Sequence, residues 1–150
     1  MSQNTVQCEC APLFVDENEP TAMPITASTL IEVKRSPGRG RGVYAKEFIP
    51  AGTVFEVVPL LVIPHREVED SDFGKTVLQY VFEYGKGSWA IALGFGSLYN
   101  HSYNPNARYD DVGVRTKQFS AVRDISSGEE ITVNYNGAET ILDPVEFDVV

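Results

Sequence analysis

The chain has 150 residues, with 12 Lys and Arg against 21 Asp and Glu, for a formal net charge of −9. That length suits one domain around one core. The acidity argues against a phosphate-binding surface as the main function, since nucleic-acid binders carry a basic footprint. It suits a cationic partner such as a Lys- or Arg-rich peptide, which the field steers inward, and it serves solubility equally well.

Residues 1 to about 28 are polar, acidic and Pro-containing, as in VDENEPTAMPITAS, and read as an extended, flexible arm. Cys8 and Cys10 are the only cysteines, so no disulfide framework crosses the fold and a reducing, intracellular home is expected. The opening MSQNTVQCECAPLF lacks a basic segment followed by an apolar one, so it does not read as a secretory signal. VVPLLVIP is too short to span a bilayer, and no membrane is expected as a partner.

Short β-type runs follow. TLIEVKR alternates and meets Ser36, Pro37 and Gly38. GVYAKEF is closed by Pro50, Ala51 and Gly52. TVFEVVPLLVIP is β-rich, with Pro59 marking an edge or a bend. TVLQYVFEY fits a strand or one or two helical turns, and SWAIALGFG reads as a strand. VRTKQFSAVRDI and EEITVNY are two further strands joined by SSG. No repeat and no sustained helical period is present, so the expected fold is mainly β with few helices.

Several motifs fail on context. Gly40-x-Gly42-x-x-Ala45 matches a loose dinucleotide fingerprint, but Ile49-Pro50-Ala51-Gly52 arrives too soon for the helix that motif must open, and no acid lies about 20 residues on. Close glycines still let backbone approach backbone or a ligand, or simply make a tight hairpin turn. Gly74-Lys75-Thr76 lacks the earlier glycine of a phosphate loop, since Glu69 stands there. Asn100-His101-Ser102 is a formal glycosylation sequon without a secretory context. His101 and His65 are the only histidines, and no four-ligand metal spacing exists. Ser102 beside His101 is the wrong arrangement for a Ser/His/Asp nucleophile, which needs a separate base.

Taken together and in order, RGRGVYA, SLYNHSYNPNAR and RDISSGEEITVNY resemble the SET-domain protein lysine methyltransferases. That family's pattern is G-x-G-V-[FY]-A, then N-H-S-x-x-P-N, then G-E-E-[IL]-T-x-x-Y. The resemblance covers about residues 30 to 137 and is closest to the minimal, stand-alone SET enzymes known from a large algal virus. It implies a β-clip of small curved sheets with a C-terminal pseudoknot, an exception to the rule against threaded chains. The SET domain then spans 29–137, after the arm of 1–28, and 138–150 is a tail over the donor and substrate site. NHS and EEITVNY lie side by side at the crossing. Short polar side chains there satisfy backbone groups that have lost water, a structural task expected above all of Asn104 and Asn106.

The resemblance also implies S-adenosylmethionine as methyl donor. It puts Arg39, Gly40, Arg41 and Gly42 along the donor pocket, Asn100, His101 and Tyr135 against the donor, and Tyr135 also as the catalytic tyrosine. Tyr80 matches a second pocket tyrosine. Val133 stands where the family usually has Phe or Tyr, which leaves room for more than one methyl. The tail has no cysteine, so no zinc site or other metal is expected. Phe147, with Ile141 or Leu142, is expected to cover the donor instead. The implied substrate is a lysine in a basic peptide, a histone tail first. The alternatives are the same chemistry on a non-histone protein, or an inactive SET-like binding module. The viral type is a homodimer, and one is expected here, with no direct nucleic-acid contact. The place is intracellular: cytoplasmic for a bacterial source, nuclear or chromatin-associated for a viral or eukaryotic one.

Overall fold

In the computed structural model, which describes residues 25–69, 74–138 and 140–145, short strands wrap around one apolar core. In chain order they are β1 (Ile31–Ser36), β2 (Gly40–Ala45), β3 (Val54–Pro64), β4 (Val81–Glu83), β5 (Ser88–Ala92), β6 (Asn100–His101), β7 (Ala107–Asp111), β8 (Thr116–Ala121) and β9 (Glu130–Val133). Two helical turns, α1 (His65–Glu69) and α2 (Gly74–Val77), separate β3 from β4. The expected arm lies almost wholly in 1–24, outside the described residues.

The smaller sheet has the order β1-β2-β9-β6. β1 and β2 form a hairpin in register from Ile31↔Ala45 to Ser36↔Gly40. Its turn is closed by the Arg39 amide donating to the Ser36 carbonyl at 3.1 Å. β9 slots between β2, to which it is antiparallel, and β6, to which it is parallel through Asn100↔Thr132 and His101↔Val133. The last strand among the described residues is therefore gripped by segments far apart in sequence, and this builds the site.

The larger sheet has the order β4-β5-β3-β8-β7. Val54–Pro59 of β3 pairs with β8, whereas Leu60–Pro64 pairs with β5. Pro59 sits where the strand passes from one partner to the next. A missing N–H costs least there, although β3 lies in the sheet's interior and not at the expected edge. In β8 the alternation turns Lys117, Phe119 and Ala121 inward, and in β9 Ile131 and Val133. Ile49 and Ile125 tie two loops together with reciprocal backbone hydrogen bonds at 2.9 Å, and both side chains are fully buried. Burying each such side chain contributes about 1.5–3 kcal/mol.

Both readings of TVLQYVFEY are realised in part: α2 ends at Val77 and β4 begins at Val81. SWAIALGFG stops being a strand at Ala92, where Gly94 turns with φ +69° and a 3-10 turn follows at Gly96–Leu98. β7, in the sequence ARYDD, went unread because Asp110 and Asp111 are poor strand formers. Its pairing along β8, from Ala107↔Ala121 to Asp111↔Lys117, overrides that preference.

Candidate active site

Four segments converge on one cavity of about 330 Å³. The β1–β2 turn brings Arg39, Gly40 and Arg41; the stretch after α2 brings Gln79 and Tyr80; Ser97 to Asn100 form one wall; Tyr135, just past β9, completes the lining. Five of the donor-side residues expected from the sequence, Arg39, Gly40, Arg41, Asn100 and Tyr135, thus share one cavity with Tyr80.

Glu130 ties two of these segments together. Its Oε2 accepts from Arg39 Nη2 at 2.6 Å and its Oε1 from Asn100 Nδ2 at 2.7 Å. The same Asn100 amide donates to the Arg41 carbonyl at 3.1 Å. Gly42 lies behind the lining, and a Cβ there would collide with the Glu130 carboxylate and come 2.9 Å from Asn100 Nδ2. The second glycine of the motif therefore serves backbone-to-side-chain approach. Arg39 Nε is buried without a hydrogen-bond partner, and no ion pair among the described residues includes Arg41. A donor in want of an acceptor and an unpaired guanidinium on one rim suit a ligand that carries a carboxylate.

The Tyr135 hydroxyl donates to the Tyr99 carbonyl at 2.7 Å, and its amide donates to His101 Nδ1 at 3.1 Å. Burial is the largest influence on the Tyr135 phenol and pushes its pKa up to about 12. At neutral pH it stays protonated and can donate a hydrogen bond but not act as a strong base. His101 is buried with its pKa lowered by that burial, which keeps the imidazole neutral and its Nδ1 lone pair available. His101 is absent from the cavity lining; its ring supports Tyr135 from below, 5.2 Å between centroids, and meets Tyr103 edge-on at 4.5 Å.

The crossing of β6 and β9 is held by short polar side chains. Asn106 Nδ2 donates to Glu129 Oε1 at 2.9 Å and to the Glu130 carbonyl at 2.8 Å, while its Oδ1 accepts from the Thr132 amide at 2.9 Å. Asn104 is exposed, with its amide on Ser102 Oγ at 3.1 Å. Asn106 thus carries the structural task, and Asn104 only closes a local turn.

Val133 is fully buried opposite His101 and does not line the cavity. The described part of the tail is strapped down beside it. Asn134 Nδ2 donates to the Ala138 and Ile141 carbonyls, and Tyr103 Oη donates to the Asp143 carbonyl at 3.1 Å. Leu142 is 69% exposed, and none of the described tail residues lines the cavity. Phe147 lies outside the described residues.

Sequence reasoning missed Gln79, Ser97, Leu98 and Tyr99 in the lining, and Glu130 as its clamp. Glu130 sat in plain view within GEE. The others carry no motif, and the fold alone brings them in. Also missed was Lys117, whose ammonium is buried over the rings of Phe82 (4.8 Å) and Tyr109 (4.6 Å) and paired with Asp111 at 2.6 Å. Tyr109 in turn donates to the Tyr135 carbonyl at 3.1 Å. Among the described residues no group of three or more metal-ligating side chains is gathered.

Comparison with known proteins agrees with this geometry. The SET domain family model matches residues 40–136. A Schizosaccharomyces pombe histone-lysine N-methyltransferase specific for H3 lysine-37 is 32% identical over 114 residues, 75% of this chain and 77% of that protein. A histone-lysine N-methyltransferase of Emericella nidulans is 31% identical over 93 residues, 61% of this chain but 14% of that protein. A crystal structure of a Plasmodium falciparum protein, described as a proposed histone methyltransferase, superposes with a TM-score of 0.60 at 27% identity. It covers 74% of this chain and 95% of that one. The fold and the site define a SET-domain enzyme of the protein-lysine methyltransferase class. The chain belongs to the SET domain family, whose methyl donor is S-adenosylmethionine.

Proposed function

We propose that this protein methylates a lysine in a histone tail, using the cavity around Tyr135. The observation that carries the reading is the Tyr135 hydroxyl, seated on the Tyr99 carbonyl within a cavity walled by the residues of all three motifs. The S. pombe relative, specific for a histone H3 lysine, supports the target class, and the net charge of −9 suits a basic tail.

S-adenosylmethionine supplies an electrophilic methyl on a sulfonium. Arg39 and Arg41 suit its carboxylate, Gly40 leaves room for its approach, and Asn100 borders it. His101 acts at one remove, by holding the Tyr135 amide. A free lysine has a pKa of about 10.4 and is almost wholly protonated at neutral pH. Beside a cationic sulfonium that value falls, so the lysine would give its proton to water before transfer. The nitrogen lone pair then bonds the methyl as the methyl–sulfur bond breaks. Tyr135 and the Tyr99 carbonyl orient the reacting groups, and orientation supplies much of the rate. Tyr80 walls the lysine stem.

The enzyme's place is at chromatin, and the likeness to the minimal viral type favours a homodimer. A monomer by light scattering contradicts the dimer. The substrate is tested by incubating the enzyme with core histones and methyl-labelled donor. Label on a histone lysine is expected; label only on a non-histone basic protein moves the target elsewhere.

A further inference from the structure

Tyr99 faces two ways. Its carbonyl receives the Tyr135 hydroxyl at 2.7 Å, while its own hydroxyl donates to Glu56 Oε2 at 2.7 Å on the far side. The phenol between them is 2% exposed and stacked on Phe119, with centroids 4.6 Å apart and planes at 29°.

Glu56 is an acid in an otherwise apolar strand, and it is buried. Its other oxygen, Oε1, accepts from the Phe95 amide at 2.8 Å. The loop that carries Phe95 is pressed onto it: a Cβ on Gly94 would come 2.8 Å from Val58 Cγ1 and 3.0 Å from Glu56 Oε1. Beyond lies a second cavity of about 290 Å³, lined by Glu56 with mostly apolar residues such as Val58, Leu93 and Phe95. A carboxylate is an expensive way to fill such a place. A hydrophobe could fill the volume, but it would leave the buried Tyr99 hydroxyl and the Phe95 amide without their acceptor. What the carboxylate adds is direction, because it fixes one hydroxyl and one amide in the segment that ends at the Tyr99 carbonyl.

We propose that Glu56 is a positioning residue for methyl transfer: by holding the Tyr99 hydroxyl and the Phe95 amide, it sets the Tyr99 carbonyl on which the Tyr135 hydroxyl rests. This rests on the reading of Tyr135 as the catalytic tyrosine. Glu56 does not line the cavity that holds Tyr135. It acts through Tyr99, on the opposite face of the core from the cavity.

The test compares the full-length wild type with Glu56→Gln and Tyr99→Phe. The first offers one oxygen where two are used. The second keeps the ring on Phe119 and the carbonyl on Tyr135 but drops the hydroxyl. Three quantities are read: kcat and KM on core histones, affinity for S-adenosylhomocysteine, and the 13Cζ resonance of Tyr135, assigned by its loss in Tyr135→Phe. The expected result is a kcat lower by roughly 10-fold or more, with KM and S-adenosylhomocysteine affinity within about twofold, and a displaced Tyr135 resonance in both variants. An unmoved resonance and wild-type kcat in the folded variants, with only a lower Tm, reduces Glu56 to a loop staple and overturns the proposal. If Glu56→Gln does not fold, Tyr99→Phe decides. Activity retained by Tyr135→Phe would instead remove the catalytic role of Tyr135, while the resonance still decides whether Glu56 sets that hydroxyl.

Discussion

Asn106 is buried and makes three side-chain hydrogen bonds to groups of β9 and the turn before it. Its replacement by Ala strands the Thr132 amide and the Glu130 carbonyl, each at a cost of about 1–3 kcal/mol. Asn106→Ala is therefore expected to lose about 2–4 kcal/mol in urea unfolding. Gly42→Ala pushes a methyl into the Glu130 clamp, and donor affinity by calorimetry should fall with it. His101 sets a pH dependence. Its folded pKa lies below the ordinary value of 6.5, so between the two values the unfolded chain binds a proton that the folded chain does not. Stability is full above about pH 6.5 and declines as pH falls below it. Glu56 runs the other way: burial raises its carboxyl, so its share is present below about 4.5 and lost as pH rises through the folded value. Chemical denaturation at about pH 7.5 and about pH 5.5 should show a loss in wild type that His101→Asn lacks. At this scale the sequence was legible wherever a motif named the residue, as with Tyr135, Asn100 and Gly40. Glu56 was legible only as an oddity, an acid in an apolar strand, and nothing local says which hydroxyl it meets.

Among the elements, β8 carries a lysine at an inward position, where alternation alone would ask for an apolar residue. The rings of Phe82 and Tyr109 cover its ammonium, and half-exposed Asp111 pairs with it. Because Asp111 is solvated, the pair itself adds little, and the long side chain fills space between β4 and β7. Lys117→Met is expected to stay within about 1 kcal/mol of wild type, since hydrophobic replacement of such a pair is often neutral. Lys117→Ala leaves a cavity and should cost about 2–4 kcal/mol. Equal losses by thermal unfolding would show that charge rather than volume is what β8 needs there. The strands with alternating apolar residues, β1, β8 and β9, could be read in advance. β6 could not: its two residues are a strand only because β9 arrives beside them, which is tertiary information. The same holds for β7, and for Pro59, whose place depends on β3 changing partners.

For the whole molecule, the acidic surface makes a kinetic claim. Apparent KM for a basic peptide should rise as salt goes from about 0.05 M to about 0.5 M, over which the Debye length shrinks severalfold, while kcat stays level. A flat KM would mean that the charge serves solubility alone. The fold class was legible because the three motifs lie in order along the chain, and each turned out to line or brace one cavity. The course of the described tail was not, because its anchors, Tyr103 and Asn134, show no pattern in sequence. The central claim is that Tyr135, oriented by Tyr99 and His101, promotes methyl transfer. Its most direct test is the single-turnover transfer rate of Tyr135→Phe on core histones, with donor affinity measured on the same preparation. A fall of about 100-fold or more, with donor affinity within about threefold, is the result expected. A rate near that of the wild type would contradict it.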